Sequence, residues 1–141
     1  MTKEIVIKIK GKQRYPEGEA VETVTEAAGE YYLRNGAHYI LFEETEAGFT
    51  QSTKSVLKVR GGQVELTKKG LVQSYMLFEE GKLHNSEYRI PFGVVPMGIK
   101  TGQVQIAEQE NALNIQIAYE LLANEEHMAT CDISIQVKSK E

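Results

Sequence analysis

Cysteine occurs once in these 141 residues, and no apolar run approaches the roughly 20 residues that a membrane-spanning helix requires. A lone Cys131 cannot close an intramolecular disulfide, so nothing here calls for an oxidising compartment. A basic surplus is missing too. Sixteen Lys and Arg stand against 20 Asp and Glu, a net charge of −4. Nucleic acid is therefore not an expected partner, because phosphate contacts need a basic surface. Lys3, Glu4, Lys8 and Lys10 interrupt the apolar stretch that a secretion signal would need, so the expected setting is the cytoplasm. Low-complexity tracts and cofactor fingerprints are also lacking. Gly98-Ile-Lys-Thr-Gly102 contains Lys-Thr, but without the glycine spacing or following helix of a phosphate loop. No cofactor is expected.

What is present is alternation with period two, the signature of strands with one buried face. Ile5, Ile7 and Ile9 oppose Lys8, Lys10 and Lys12 in the opening stretch, and Tyr15-Pro16-Glu17-Gly18 supplies a turn. A strand from about Ala20 to Arg34 follows. With the hairpin centred near Glu17, Lys12 faces Glu22 and Lys8 faces Glu26, while Ile9 faces Thr25 and Gly11 faces Thr23. Asn35-Gly36 is a two-residue hairpin signal, leading to His38, Ile40 and Phe42 on one face. Glu46-Ala47-Gly48 turns the chain into Phe49–Arg60, with Phe49, Thr53, Leu57 and Val59 inward. Gly61-Gly62, Lys69-Gly70 and Glu80-Gly81 punctuate the next segments, which carry Val64 and Leu66, then Met76 and Phe78. His84, Ser86, Tyr88, Ile90 and Phe92 alternate along the next strand, and Pro91 belongs at a strand end. Gly93 to Glu108 is irregular, and Pro96, Gly98 and Gly102 predict a bend or bulge before Val104 and Ile106. Leu113, Ile115, Ile117, Tyr119 and Leu121 form the cleanest alternation. The last strand turns Cys131, Ile133, Ile135 and Val137 inward.

The pattern amounts to about ten strands joined by short turns, all antiparallel. Such a meander leaves two open edges unless it curls shut. The expected fold is all-β, a single domain over residues 1–141 forming an antiparallel up-and-down β-barrel. A two-sheet sandwich is the competing architecture.

From Gly70 onward the chain resembles the bacterial YwiB-like family of uncharacterised proteins. The resemblance rests on Leu66-Thr67-Lys68-Lys69-Gly70 and on Met76-x-Phe78-x-x-Gly81. Tyr88-x-x-Pro91-Phe92-Gly93, Thr101 and Tyr119-x-Leu121 extend it. Ile90 departs from the Thr usual before that proline. The resemblance implies a calycin-type, lipocalin-like barrel with a hollow or partly hollow lumen, and no established activity.

Motifs that would mean catalysis or metal binding fail on strand geometry. His127 and Cys131, four apart, would lie about 13 Å from each other on a strand, too far to share an ion. The carboxylate pairs Glu43-Glu44, Glu79-Glu80 and Glu125-Glu126 sit near turns, and strand neighbours point to opposite faces. No metal site and no catalytic residue is expected. The inward face is more informative, because Tyr31, His38, Thr53, His84, Tyr88 and Tyr119 share it with bulky aliphatics. Apolar lining with a few polar groups suits a small-molecule site. The small run Thr23, Thr25, Ala27, Gly29 opposite Gly11 suggests a thin wall with space behind it.

The leading expectation is thus a binding protein for a small apolar or amphipathic molecule. Tyr88, Tyr119, His84 and Thr101 would orient its polar end, and Met76, Phe78, Ile90 and Leu121 would contact the rest. The alternative is an interaction or structural barrel with a filled core, possibly a homodimer, using Val24, Ala28 and Tyr32 on the outer face. An enzyme using an interior His or Tyr comes third.

Overall fold

A computed structural model describes residues 1–45 and 52–140, and there the alternation becomes ten antiparallel strands. They are β1 (Glu4–Arg14), β2 (Ala20–Arg34), β3 (Ala37–Thr45), β4 (Ser52–Arg60) and β5 (Gln63–Lys69). β6 (Ser74–Glu79), β7 (Leu83–Ile90), β8 (Gly93–Gln109), β9 (Ala112–Ala123) and β10 (Glu126–Ser139) complete the set. The expected turn at Glu46-Ala47-Gly48 and the inward Phe49 lie outside the described residues. No helix among the described residues is long and apolar enough to cross a membrane.

Every strand pairs with its sequence neighbours except at one place, and β1 pairs with β10, Ile7 opposite Val137. The sheet therefore curls into a nearly closed barrel, and the sandwich alternative falls away. Its break lies in mid-chain, between β6 and β7. There a single bridge spans the gap: Gln73 N–H donates to the Arg89 carbonyl at 2.9 Å, and Arg89 N–H returns the bond at 2.8 Å.

The first hairpin has the register that its charges dictate. Lys12 opposes Glu22, Lys8 opposes Glu26, Ile9 opposes Thr25 and Gly11 opposes Thr23. Lys12 Nζ lies 3.6 Å from Glu22. The exposed pair adds little stability, since surface salt bridges are worth about 0–1 kcal/mol. The inward aliphatics carry the energy instead. Ile5, Ile7, Ile40, Leu57, Ile99, Leu113 and Ile115 are fully buried, and each such side chain stabilises by roughly 1.5–3 kcal/mol.

Two sequence expectations need correction. The run of small residues on β2 leaves no gap at Gly29, where an added Cβ would meet the Leu41 carbonyl oxygen at 2.4 Å and Ile5 at 3.1 Å. Close approach of three strands, rather than a thin wall, is the reason for glycine there. Phe92 is not inward: β7 ends at Ile90, and Phe92 stands 92% exposed in the following turn. The bulge expected within Gly93 to Glu108 is present, and the segment lies in one long strand, β8. It falls between Thr101 and Gln103 and keeps both halves of the strand in register with β9. The β6–β7 turn satisfies the backbone there, because Gly81 N–H donates to the Thr101 carbonyl and Thr101 N–H to the Lys82 carbonyl. Tyr31, in contrast, lies on a strand with no register shift and is buried.

Candidate functional site

The residues anticipated as a ligand site fall into two groups. Phe78, Thr101, Tyr119 and Leu121 come together in the middle of the barrel. Thr101 opposes Tyr119 across β8 and β9, and the Phe78 and Tyr119 rings lie 5.0 Å apart at 59°. Tyr119 also opposes Cys131, and its phenol lies beside that thiol. Burial, then the neighbouring thiol, pushes the Tyr119 phenol well above its ordinary range. Burial likewise raises the Cys131 thiol, against the pull of the Tyr119 phenol. Neither group is an acid, a base or a nucleophile at neutral pH.

Tyr88 and Ile90 lie elsewhere, towards the end of the barrel that carries the β7–β8 turn. Continuing the antiparallel bridge from Gln73 and Arg89 sets Tyr88 opposite Ser74 across the seam. His84 joins neither group. Its Nε2 lies 3.1 Å from Glu79 at the β6–β7 turn, within a cluster that also bonds Lys82 and Gln63 to the same carboxylate. Met76, half-buried on β6, lies between the two groups. His127 is exposed and paired with Glu120, away from buried Cys131.

Alternation within β4, β5 and β6 brings together polar residues that sequence reading largely passed over. Thr53 and Ser55 occupy the inward positions of β4 before Leu57 and Val59. Ser74 occupies the inward position of β6 that leads to Met76 and Phe78. Ser55 opposes Lys68 and Lys68 opposes Ser74, one transverse row across three strands. Thr53, Ser55 and Ser74 are 3%, 1% and 8% exposed, yet none of their hydroxyls has a hydrogen-bond partner among the described residues. A buried, unpaired hydroxyl costs about 1–3 kcal/mol. Three at one end of a barrel form a standing demand for a polar occupant. Beside them Lys68 Nζ lies 3.8 Å from Glu44, which opposes Thr53. Thr53 alone was legible as inward; Ser55, Lys68 and Ser74 carried the same signal in their parity with Leu57, Leu66 and Met76.

A second polar constellation occupies the opposite end. The Tyr31 hydroxyl lies 2.6 Å from His38 Nδ1, and His38 Nε2 lies 2.7 Å from Glu108. The order carboxylate, imidazole, hydroxyl has the shape of a catalytic relay. Burial and the Glu108 charge, however, raise the Tyr31 phenol above its ordinary value, so it holds its proton.

Two concavities open on the barrel surface, the larger of them also bordered by the inward Ile5, Phe42 and Ser55. One, of about 1450 Å³, is walled chiefly by outward side chains of β2 to β5, among them Tyr39, Leu41, Val56, Lys58 and Glu65. The other, of about 360 Å³, crosses β1, β2, β8, β9 and β10. Among the described residues no three His, Cys, Asp or Glu side chains cluster to hold a metal.

Comparison with known proteins agrees with this architecture. A family model described as Domain of unknown function (DUF1934) matches residues 7–135. A Bacillus subtilis (strain 168) protein described as the uncharacterized β-barrel protein YwiB is 27% identical over 99 residues, covering 70% of this chain and 68% of its own. The crystal structure of the ywiB protein from Bacillus subtilis superposes with a TM-score of 0.86 at 20% identity, covering 99% of this chain and 93% of that one. That likeness concerns the fold.

Proposed function

We propose that this chain, which belongs to the DUF1934 family of β-barrel proteins of unknown function, binds a small amphipathic molecule inside its barrel. The observation that carries this reading is that three of the four buried hydroxyls without partners among the described residues, Thr53, Ser55 and Ser74, lie at one end of the barrel, the fourth being Thr101 deeper inside. Interiors rarely leave three such groups unmet, and a ligand's polar head would meet them together. Tyr88, opposite Ser74 across the seam, borders the same place, with Ile90 beyond it. The apolar part would run inward along Met76 towards Phe78, displacing the methionine, whose unbranched side chain repacks readily. In this reading Thr101, Tyr119 and Leu121 close the floor of the site, and His84 serves the neighbouring turn. A calycin-like carrier in the cytoplasm is the corresponding role, without metal or cofactor.

Titration of the ¹⁵N-labelled protein with a fluorescent fatty-acid probe tests it. The expected result is saturable uptake of one equivalent, with amide shifts centred on Ser55, Ser74 and Tyr88. Absence of saturable uptake would overturn it.

A second reading, an interaction barrel, is favoured by the outer groove, where Tyr39, Leu41 and Val56 are flanked by Lys and Glu of both signs. Amide shifts confined to Tyr39 and Leu41 would favour that surface.

A further inference from the structure

We propose, resting on the interior-site reading above, that the molecule taken up is anionic, and that its head is an oxyanion held by Lys68, Thr53, Ser55 and Ser74. A hydroxyl is satisfied as donor or acceptor, but a lysine ammonium only donates, through three N–H groups. Lys68 stands in the middle of the row, between Ser55 and Ser74, and forms an ion pair with Glu44 at 3.8 Å. The remaining ammonium donors and the three hydroxyls are grouped at this end of the barrel, where the carboxylate of Glu44, opposite Thr53, pairs with the lysine and leaves the hydroxyls unmet. An acceptor-only group with several lone pairs, a carboxylate or a phosphate, satisfies all of them at once. A neutral alcohol satisfies one or two.

The spacing suits such a head. Adjacent strands lie about 4.8 Å apart, which puts the Ser55 and Ser74 backbones about 10 Å from each other with Lys68 between them. Inward-leaning side chains and hydrogen bonds of about 2.8 Å close that span around a single oxyanion. Glu44 opposes a second negative charge nearby, but its ion pair with Lys68 keeps the ammonium in place rather than competing for the hydroxyls. The side chain of Lys68 is 27% exposed while its hydroxyl neighbours are covered. A charged head would thus meet the lysine first and the hydroxyls behind it. Charge-assisted hydrogen bonds in such partly desolvated places are roughly twice as strong as neutral ones.

The test is isothermal titration of octanoate, octyl phosphate, octanol and inorganic phosphate into the wild type, Lys68→Met and the double variant Ser55→Ala/Ser74→Ala. Both anionic amphiphiles should bind at least about tenfold more tightly than octanol, as one charge-assisted contact implies. Lys68→Met should erase that preference while leaving octanol unchanged. The double variant should weaken both anions. Inorganic phosphate alone should move the Ser55 and Ser74 amides at high concentration. The tighter of octanoate and octyl phosphate identifies the head, and either order supports an oxyanion. If octanol binds as tightly as the anions, or Lys68→Met keeps the preference, the anionic class is wrong while interior binding stands. If no amphiphile binds the wild type, both readings fall. Lys68→Gln, checked for a wild-type amide spectrum, replaces Lys68→Met should the latter misfold.

Discussion

The Tyr31 hydroxyl and His38 Nδ1 share a hydrogen bond of 2.6 Å, and this bond decides what the second polar constellation is for. A phenol raised by burial and by the Glu108 charge keeps its proton and can donate it, and the tautomer that matches this donation has a bare Nδ1. Nδ1 then accepts, and Nε2–H donates to Glu108 at 2.7 Å. Read in this direction the chain is a staple. It ties the β2–β3 hairpin to the far end of β8, 70 residues away in sequence.

The staple predicts one tautomer and a modest stability term. Imidazole ¹⁵N shifts at neutral pH should show Nδ1 bare and Nε2 protonated. Tyr31→Phe should lower stability by about 1 kcal/mol in urea denaturation, the usual size of one buried hydrogen bond. A variant as stable as the wild type, or an Nδ1–H tautomer, would refute the assignment.

Glu79 predicts a pH dependence. Bonds from Lys82, Gln63 and His84 lower its carboxyl to about 2, from an ordinary 4.5. A carboxylate depressed on folding stabilises the native state above the unfolded value, and that contribution is lost as pH falls through the folded value. The urea midpoint of the wild type should therefore decline between about pH 4.5 and pH 2. Glu79→Gln should start lower at neutral pH and decline less steeply across that window. Parallel curves for the two proteins would show that the cluster does not hold the carboxylate.

Turn chemistry predicts a stabilising substitution. Asn35 and Gly36 adopt φ of 52° and 77°, the two positive values of a tight hairpin, and the sequence advertises this as Asn-Gly. Asn124 and Glu125 adopt 53° and 67° with no glycine to ease the second position. An L-residue pays roughly 1–2 kcal/mol there. Glu125→Gly should raise the thermal midpoint, gaining up to about 1 kcal/mol, while Glu125→Ala should not. Equal midpoints for the two variants would show that the left-handed backbone at Glu125 carries no strain.

How much was legible follows from which forces act locally. Charge pairing and apolar alternation are set by neighbours in sequence. The register Lys12 opposite Glu22 and the inward row Leu113 to Leu121 could accordingly be read before any coordinates. Phe92 misled because alternation says nothing about where a strand stops, and the left-handed Gly93 that follows it marks the turn. The grouping of Thr53 with Ser55 and Ser74, and of Tyr31 and His38 with Glu108, escaped for another reason. Each depends on which distant strands become neighbours on closure, and on a bulge at Gly102 that restores the inward parity of Glu108.

The seam between β6 and β7 yields the last prediction. Strands β1 and β10 are zipped along their length, from Ile5 opposite Ser139 to Arg14 opposite Thr130. Across the seam the backbone is joined by the reciprocal bonds of Gln73 and Arg89, with Ser86 Oγ donating to the Tyr75 carbonyl beside them. Local opening is cheapest where few backbone bonds must break at once. The Gln73 and Arg89 amides should accordingly exchange with deuterium orders of magnitude faster than those of Ile7 and Val137. Ser74 and Tyr88 face each other along this line, so the same opening exposes the hydroxyl-lined end to solvent. If the site is filled through the seam, saturating ligand should slow exchange at Gln73 and Arg89 more than anywhere on β1 or β10. Uniform protection around the barrel, with or without ligand, would mean that the seam is no weaker than the rest and that entry occurs elsewhere.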